Sequence, residues 1–119
     1  MSVSSNGRVL ESGDLQVKPN EFVALAAGRR LPLTVRELAL LTALMERAGR
    51  IVGREELYEE VWEDPYRKSD RSVDVYVAKL RYKLEEALPG SRFIHTHFGF
   101  GYRFAPETSE PIAGAPVRR

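Results

Sequence analysis

Residues 70–88, DRSVDVYVAKLRYKLEEAL, decide how the chain folds. Val73, Val77, Leu80, Leu84 and Leu88 recur at steps of four, three, four and four. At about 100° per residue they fill one stripe of an α-helix, and that stripe must face a core. Ser72, Val75, Tyr76, Lys79 and Lys83 gather on a different face. Pro89-Gly90 ends the helix, because proline lacks the N–H that continues it and glycine tolerates the left-handed turn that closes it.

Working outward, two shorter helices precede this one. Thr34-Val35-Arg36-Glu37 is a capping-box pattern, in which the threonine oxygen accepts from the backbone three residues on while the glutamate reaches back. Leu38, Leu41, Met45 and Ala48 follow at helical spacing, with Gly49 as the stop. A helix over about 54–62 places Leu57, Val61 and Trp62 on one side and glutamates on the other, with Gly53 as a weak N-cap. Before them, 9–33 reads as short antiparallel strands: Val9-Leu10, Leu15–Val17, Phe22–Leu25 and Arg30-Leu31, separated by turn residues. After the long helix, Phe93–Thr96 and Tyr102–Phe104 flank a turn containing Gly99 and Gly101, which predicts a hairpin. Strands, three helices and a hairpin, in that order, make an α+β winged helix-turn-helix. The domain is expected over 9–105, with residues 1–8 as a flexible lead and the Pro/Gly/Ser-rich 106–119 as a flexible tail.

Composition narrows the classes of function. The 119 residues suit one domain with one core, and 43% hydrophobic with 29% charged residues argues against global disorder. No apolar run is long enough for a membrane span and no signal-peptide layout is present, so a cytoplasmic protein with no membrane partner is expected. There is no cysteine, hence no disulfide or thiolate chemistry. The net charge is only +1, but it is unevenly spread. Glu55, Glu56, Glu59, Glu60, Glu63 and Asp64 form an acidic stretch; Arg67, Lys68, Arg71, Lys79, Arg81 and Lys83 then outnumber Asp70 and Asp74. Local potential, rather than net charge, is what a polyanion meets.

The run Leu33–Glu37, Arg54–Leu57, Val61-Trp62, Arg71–Val77 with Leu80-Arg81, and finally Gly101–Phe104, resembles the C-terminal effector domain of OmpR/PhoB-type response regulators over about residues 9–105. The resemblance implies transcription regulation in bacteria by sequence-specific binding to double-stranded DNA at direct-repeat promoter sites, as a head-to-tail dimer. It also implies contact with RNA polymerase and control by a receiver domain phosphorylated by a sensor kinase. No cofactor is expected. A chain of 119 residues leaves no room for a receiver, so an excised effector domain or a short regulator is expected.

The outward face of the long helix supplies candidate DNA contacts, since an α-helix fits the major groove. Lys79 suits guanine O6 and N7, Val75 a thymine methyl, and Tyr76 a base edge or a phosphate. Arg71 and Ser72, in the first turn, suit phosphate, and Lys83 the backbone further along. Val75 has the alternative of belonging to a broad apolar face, and Tyr76 that of capping the core's edge. Arg81 is read as structural, and Asp74 as turned aside to anchor the helix on a basic partner. By resemblance, Thr96 and Tyr102 meet the sugar-phosphate backbone from the wing, and Glu63, Asp64, Tyr66, Arg67 and Lys68 lie where relatives touch polymerase. Relatives often carry a basic residue at the position of Ala78 and an arginine at that of Phe98, so two contacts are expected to be weakened. Phe98 is expected to shield its turn, with a wedge between bases as the alternative.

Two other classes compete. His95 and His97 form an H-x-H pair on one strand, but no third ligand or nucleophile–base set accompanies them, so no metal site and no enzyme are expected. A protein-binding winged helix shares the fold, because fold does not fix function. The basic outward face of residues 71–83 favours DNA.

Overall fold

The computed structural model describes residues 8–108. Strands β1 (Leu10–Ser12), β2 (Leu15–Lys18), β3 (Val23–Ala26) and β4 (Arg29–Arg30) form an antiparallel meander. Helices α1 (Val35–Glu46), α2 (Arg54–Trp62) and α3 (Ser72–Ala87) follow, with strand β5 (Ile51–Val52) between the first two. Strands β6 (Ser91–His97) and β7 (Gly101–Thr108) form the terminal hairpin, and β5 joins its outer edge to give the order β5-β7-β6. This is an α+β winged helix.

The sequence periods explain each element. Leu15 and Val17 alternate inward on β2, as do Ala24 and Ala26 on β3, and they close over α1. Val73, Val77, Leu80 and Leu84 form the buried stripe of α3, against Leu38, Leu41 and Leu44 of α1 and Phe93, Ile94 and Phe104 of the hairpin. At the β3–β4 turn, Ala27 and Gly28 both have positive φ (52° and 80°), the signature of a two-residue type I′ hairpin.

Several boundaries differ from the sequence reading for local reasons. Phe22, expected at the start of a strand, instead closes a 3₁₀ turn over Pro19–Glu21 in the left-handed region, where its ring is exposed. Ala48, expected in the apolar repeat of α1, lies past the helix end and is exposed. The strand pair Ile51-Val52 with Arg103 and Tyr102 was not foreseen, because two residues carry no readable period. The domain also extends beyond 105: β7 continues through Pro106 and Glu107 to Thr108. Between the pairs Arg92↔Glu107 and Ile94↔Phe104, β7 carries one residue more than β6, and that bulge accommodates a proline with no N–H to give. The expected lead 1–8, apart from Arg8, and the tail beyond 108 lie outside the described residues.

Lys83 is engaged within the protein. Expected on the DNA backbone, its ammonium instead donates to Glu37 Oε1 (2.7 Å) and to the Pro32 carbonyl (2.9 Å). Glu37 is buried, and it also completes the capping box, accepting from the Thr34 N–H (2.9 Å) while its own N–H donates to Thr34 Oγ1 (3.1 Å). One carboxylate thus caps α1 and ties it to α3. Burial pushes the Glu37 carboxyl up, but the Lys83 ammonium and the Thr34 hydrogen bonds outweigh it and hold the pKa below its ordinary value.

Lys83→Met should therefore cost about 1–3 kcal/mol, the range for leaving a buried polar group short of a partner. Because the Glu37 pKa is depressed, its stabilisation is present above the unfolded value and is lost as pH falls through the folded one. Urea melts of the variant should show lower stability near neutral pH and a smaller loss of stability on acidification than wild type shows. Coincident pH–stability curves would show that this pair contributes nothing.

Candidate nucleic-acid interface

The outward side of α3 is accessible. The side chain of Arg71 is 79% exposed, Val75 is 47% exposed and Lys79 is exposed, while Ser72 and Tyr76 are half-buried. Exposure of Val75 removes the alternative that it belongs to a broad apolar seam. Tyr76 is held from below, its ring edge-on to Trp62 at 5.3 Å, with Lys79 Nζ 5.0 Å above it. The contact continues backward: Trp62 stacks on Tyr58 (5.0 Å, 3° between planes), Tyr58 meets Tyr66 edge-on, and Arg36 lies over Trp62. At the helix N-terminus, Asp70 Oδ1 accepts from the Ser72 N–H (2.7 Å). The Asp70 carboxylate thus takes one of the backbone donors expected to help clamp a phosphate.

Asp74 organises the space beneath this face. It accepts from Arg54 Nε (2.7 Å) on α2 and from the Tyr102 hydroxyl on β7, and Arg71 lies 3.6 Å away. Burial raises the Asp74 pKa, but hydrogen bonds from Tyr102 and Arg54 overcome this and keep it below the ordinary carboxylate value. The expectation of an acid turned toward a basic partner is met, with Arg54 as the partner. A cation at the first residue of a helix opposes the helix dipole, and this pairing is what Arg54 gains. Tyr102 is buried, its ring lying 5.9 Å from the Arg54 guanidinium and 5.7 Å from that of Arg81. Expected against a sugar-phosphate backbone, Tyr102 here braces the wing against α3. Arg81 is structural as read, but through neutral acceptors, donating to the Ile94 carbonyl (3.1 Å) and to Thr96 Oγ1 (2.5 Å). Thr96 stays half-buried beside it.

A mostly exposed cationic helix face braced by a hairpin has direct counterparts. The family described as "Transcriptional regulatory protein, C terminal" matches residues 28–104. A probable transcriptional regulator of Cyanophora paradoxa is 37% identical over 105 residues, covering 87% of this chain and 44% of its own length. The DNA-binding domain of CpxR from Escherichia coli superposes with a TM-score of 0.75 at 32% identity, covering 82% of this chain and 96% of that one. The Klebsiella pneumoniae RstA DNA-binding domain, solved in complex with the RstA box, also has a TM-score of 0.75, at 30% identity and with coverage of 82% and 97%. The chain belongs to this family. It is an OmpR/PhoB-type effector domain, a DNA-binding unit of transcription regulators, and it spans less than half the length of the Cyanophora paradoxa relative.

In this effector domain the connector between α2 and α3 leaves Glu63, Asp64, Arg67 and Lys68 exposed, while Tyr66 packs on Tyr58. At the wing tip the expectation for Phe98 fails. Phe98 is 86% exposed, and Phe100, which the sequence reading passed over, is 74% exposed. The histidines are occupied within the hairpin: His95 Nε2 lies 2.8 Å from the Ala105 carbonyl, and His97 Nε2 accepts from Arg103. Among the described residues no group of three or more His, Cys, Asp or Glu is placed to hold a metal, and no helix is long and apolar enough to cross a membrane.

Burial, aided by the Asp74 carboxylate, pushes the Tyr102 hydroxyl from an ordinary 10.0 up to about 12. Its contribution to stability is whole below about pH 10 and decays as pH climbs toward about 12. Alkaline ultraviolet titration should leave one of the five tyrosines un-ionised longest, and Tyr102→Phe should abolish that late step. Persistence of the step in the variant would dismantle the brace.

Proposed function

We propose that this domain reads duplex DNA by laying the N-terminal half of α3 in the major groove, with the hairpin beside it on the backbone or minor groove. The accessible set Arg71, Val75 and Lys79, held above a neutralised Asp74, carries the reading. A lysine at Lys79 donates to guanine O6 and N7, Val75 packs on a thymine methyl, and Tyr76 presents its edge to a base or phosphate. Arg71 and Ser72 engage phosphates, and Thr96 adds a backbone contact from the wing. Lys83 and Tyr102 are left out of the contact set, since both are engaged inside the protein.

The wider setting follows the family. The domain acts at direct-repeat promoter sites as a head-to-tail dimer in the bacterial cytoplasm. A receiver domain, phosphorylated by a sensor kinase, controls it within a longer protein. The exposed connector Glu63, Asp64, Arg67 and Lys68, with Tyr66 fixing its base, meets RNA polymerase. No catalytic step is part of this function.

Selection of bound duplexes from a random pool, followed by mobility shifts across a salt series, tests the reading. Affinity should fall steeply with salt, because each phosphate contact releases counterions. Lys79→Ala should cost roughly 1–3 kcal/mol and relax base preference at one position per half-site. An equal loss on every sequence would reassign Lys79 to phosphate. Arg71→Ala should weaken all sequences alike and flatten the salt slope by about one unit. Absence of any shifted duplex at low salt would end the proposal.

A further inference from the structure

The wing tip holds two side chains that the proposed contact set does not use. Phe98 and Phe100 are the most exposed large hydrophobic residues among those described. They flank Gly99, whose φ of 85°, with the Phe100 N–H donating to the His97 carbonyl at 2.8 Å, makes a tight turn. The two rings therefore sit on either side of one glycine at the extremity of a hairpin.

That hairpin is braced. Tyr102 is tied to Asp74, Arg81 grips Thr96 and the Ile94 carbonyl, and β7 pairs with β5. Gly101 lies so close to the β5 backbone that an added Cβ would stand 2.1 Å from the Val52 carbonyl oxygen, so the strand is seated directly on its neighbour.

On the side of the hairpin that meets the helix, Phe98 lines the groove between β6 and α3 together with Arg81, Glu85, Arg92, Ile94 and Thr96. Residues 91–106 carry Arg92, Arg103 and both histidines, with no carboxylate. An apolar pair on a hairpin segment whose own charged side chains are cationic complements stacked bases inside a phosphate frame.

We propose that Phe98 and Phe100 form an aromatic wedge that enters the minor groove beside the α3 site, partly unstacks a base step and bends the duplex. Phenylalanine has no polar edge to read bases, so the wedge recognises deformability: flexible pyrimidine–purine steps are the cheapest to open. The inference rests on the DNA reading proposed above and adds a second determinant to it.

A duplex recovered from the random-pool selection, labelled with donor and acceptor dyes at its ends, supplies the test. Wild-type protein should shorten the end-to-end distance by an amount matching a kink of about 20–90°. Phe98→Ser/Phe100→Ser should leave the duplex straight and lower affinity by about tenfold or more, as loss of base–aromatic stacking does, without changing the salt slope. Phe98→Trp/Phe100→Trp should keep the bend. Wild-type binding without a bend, or equal bending by the serine variant, would overturn the wedge and leave the α3 reading standing. Failure of wild type to bind duplex at all would overturn both. DNA-free self-association of wild type that the serine variant loses, with bending unchanged, would assign the tip to a protein contact instead.

Discussion

A helix meant for a polyanion carries Asp74 in its first turn, and the way that charge is neutralised shapes the molecule. Arg54 supplies a cation from the start of α2 and Tyr102 a hydroxyl from β7. Removing either donor would leave a partly buried carboxylate short of a partner, a costly state in a low-dielectric setting. The consequence is geometric as much as energetic. Three segments distant in sequence converge on one carboxyl group, which sets the angle between the two helices of the reading unit and the height of the wing over them. The acid that would repel phosphate becomes the point from which the cationic face is held.

Beside this polar hub lies an aromatic one. Tyr66, Tyr58, Trp62 and Tyr76 form a continuous series of stacked and edge-on rings, with Lys79 over one end and Arg36 over the middle. Aromatic pairs favour these offset and edge geometries, and a cation over a ring face adds to them. The series joins the exposed connector to Tyr76 in the middle of the proposed reading face. The charged residues of that connector are thus displayed on a firm base, as is the outward side of α3.

The cationic side chains sort by what lies beneath them. Lys83 has a buried acid and a backbone carbonyl within reach, so it serves the joint between α1 and α3. Arg81 is half-buried and satisfies its donors on a carbonyl and a hydroxyl, which pins β6 to the helix. Arg71 and Lys79 keep their charges toward solvent, where long-range attraction to phosphate acts. Helical spacing alone placed Lys83 with Lys79; the neighbour across the core separated them.

Sequence by itself determined the three helices, the capping box of Thr34 and Glu37, the buried stripe of α3 and the existence of the terminal hairpin. Each rests on contacts between residues a few positions apart, or on a period that repeats along one element. Tertiary structure alone decided which polar side chains of the outward faces are free to act. Lys83, Tyr102, Arg54 and the β5–β7 pairing depend on partners dozens of residues away, and no local pattern encodes such distances. Phe98 shows the same limit in reverse, for whether a turn aromatic covers its own loop or stands clear of it depends on where the backbone leaves the ring.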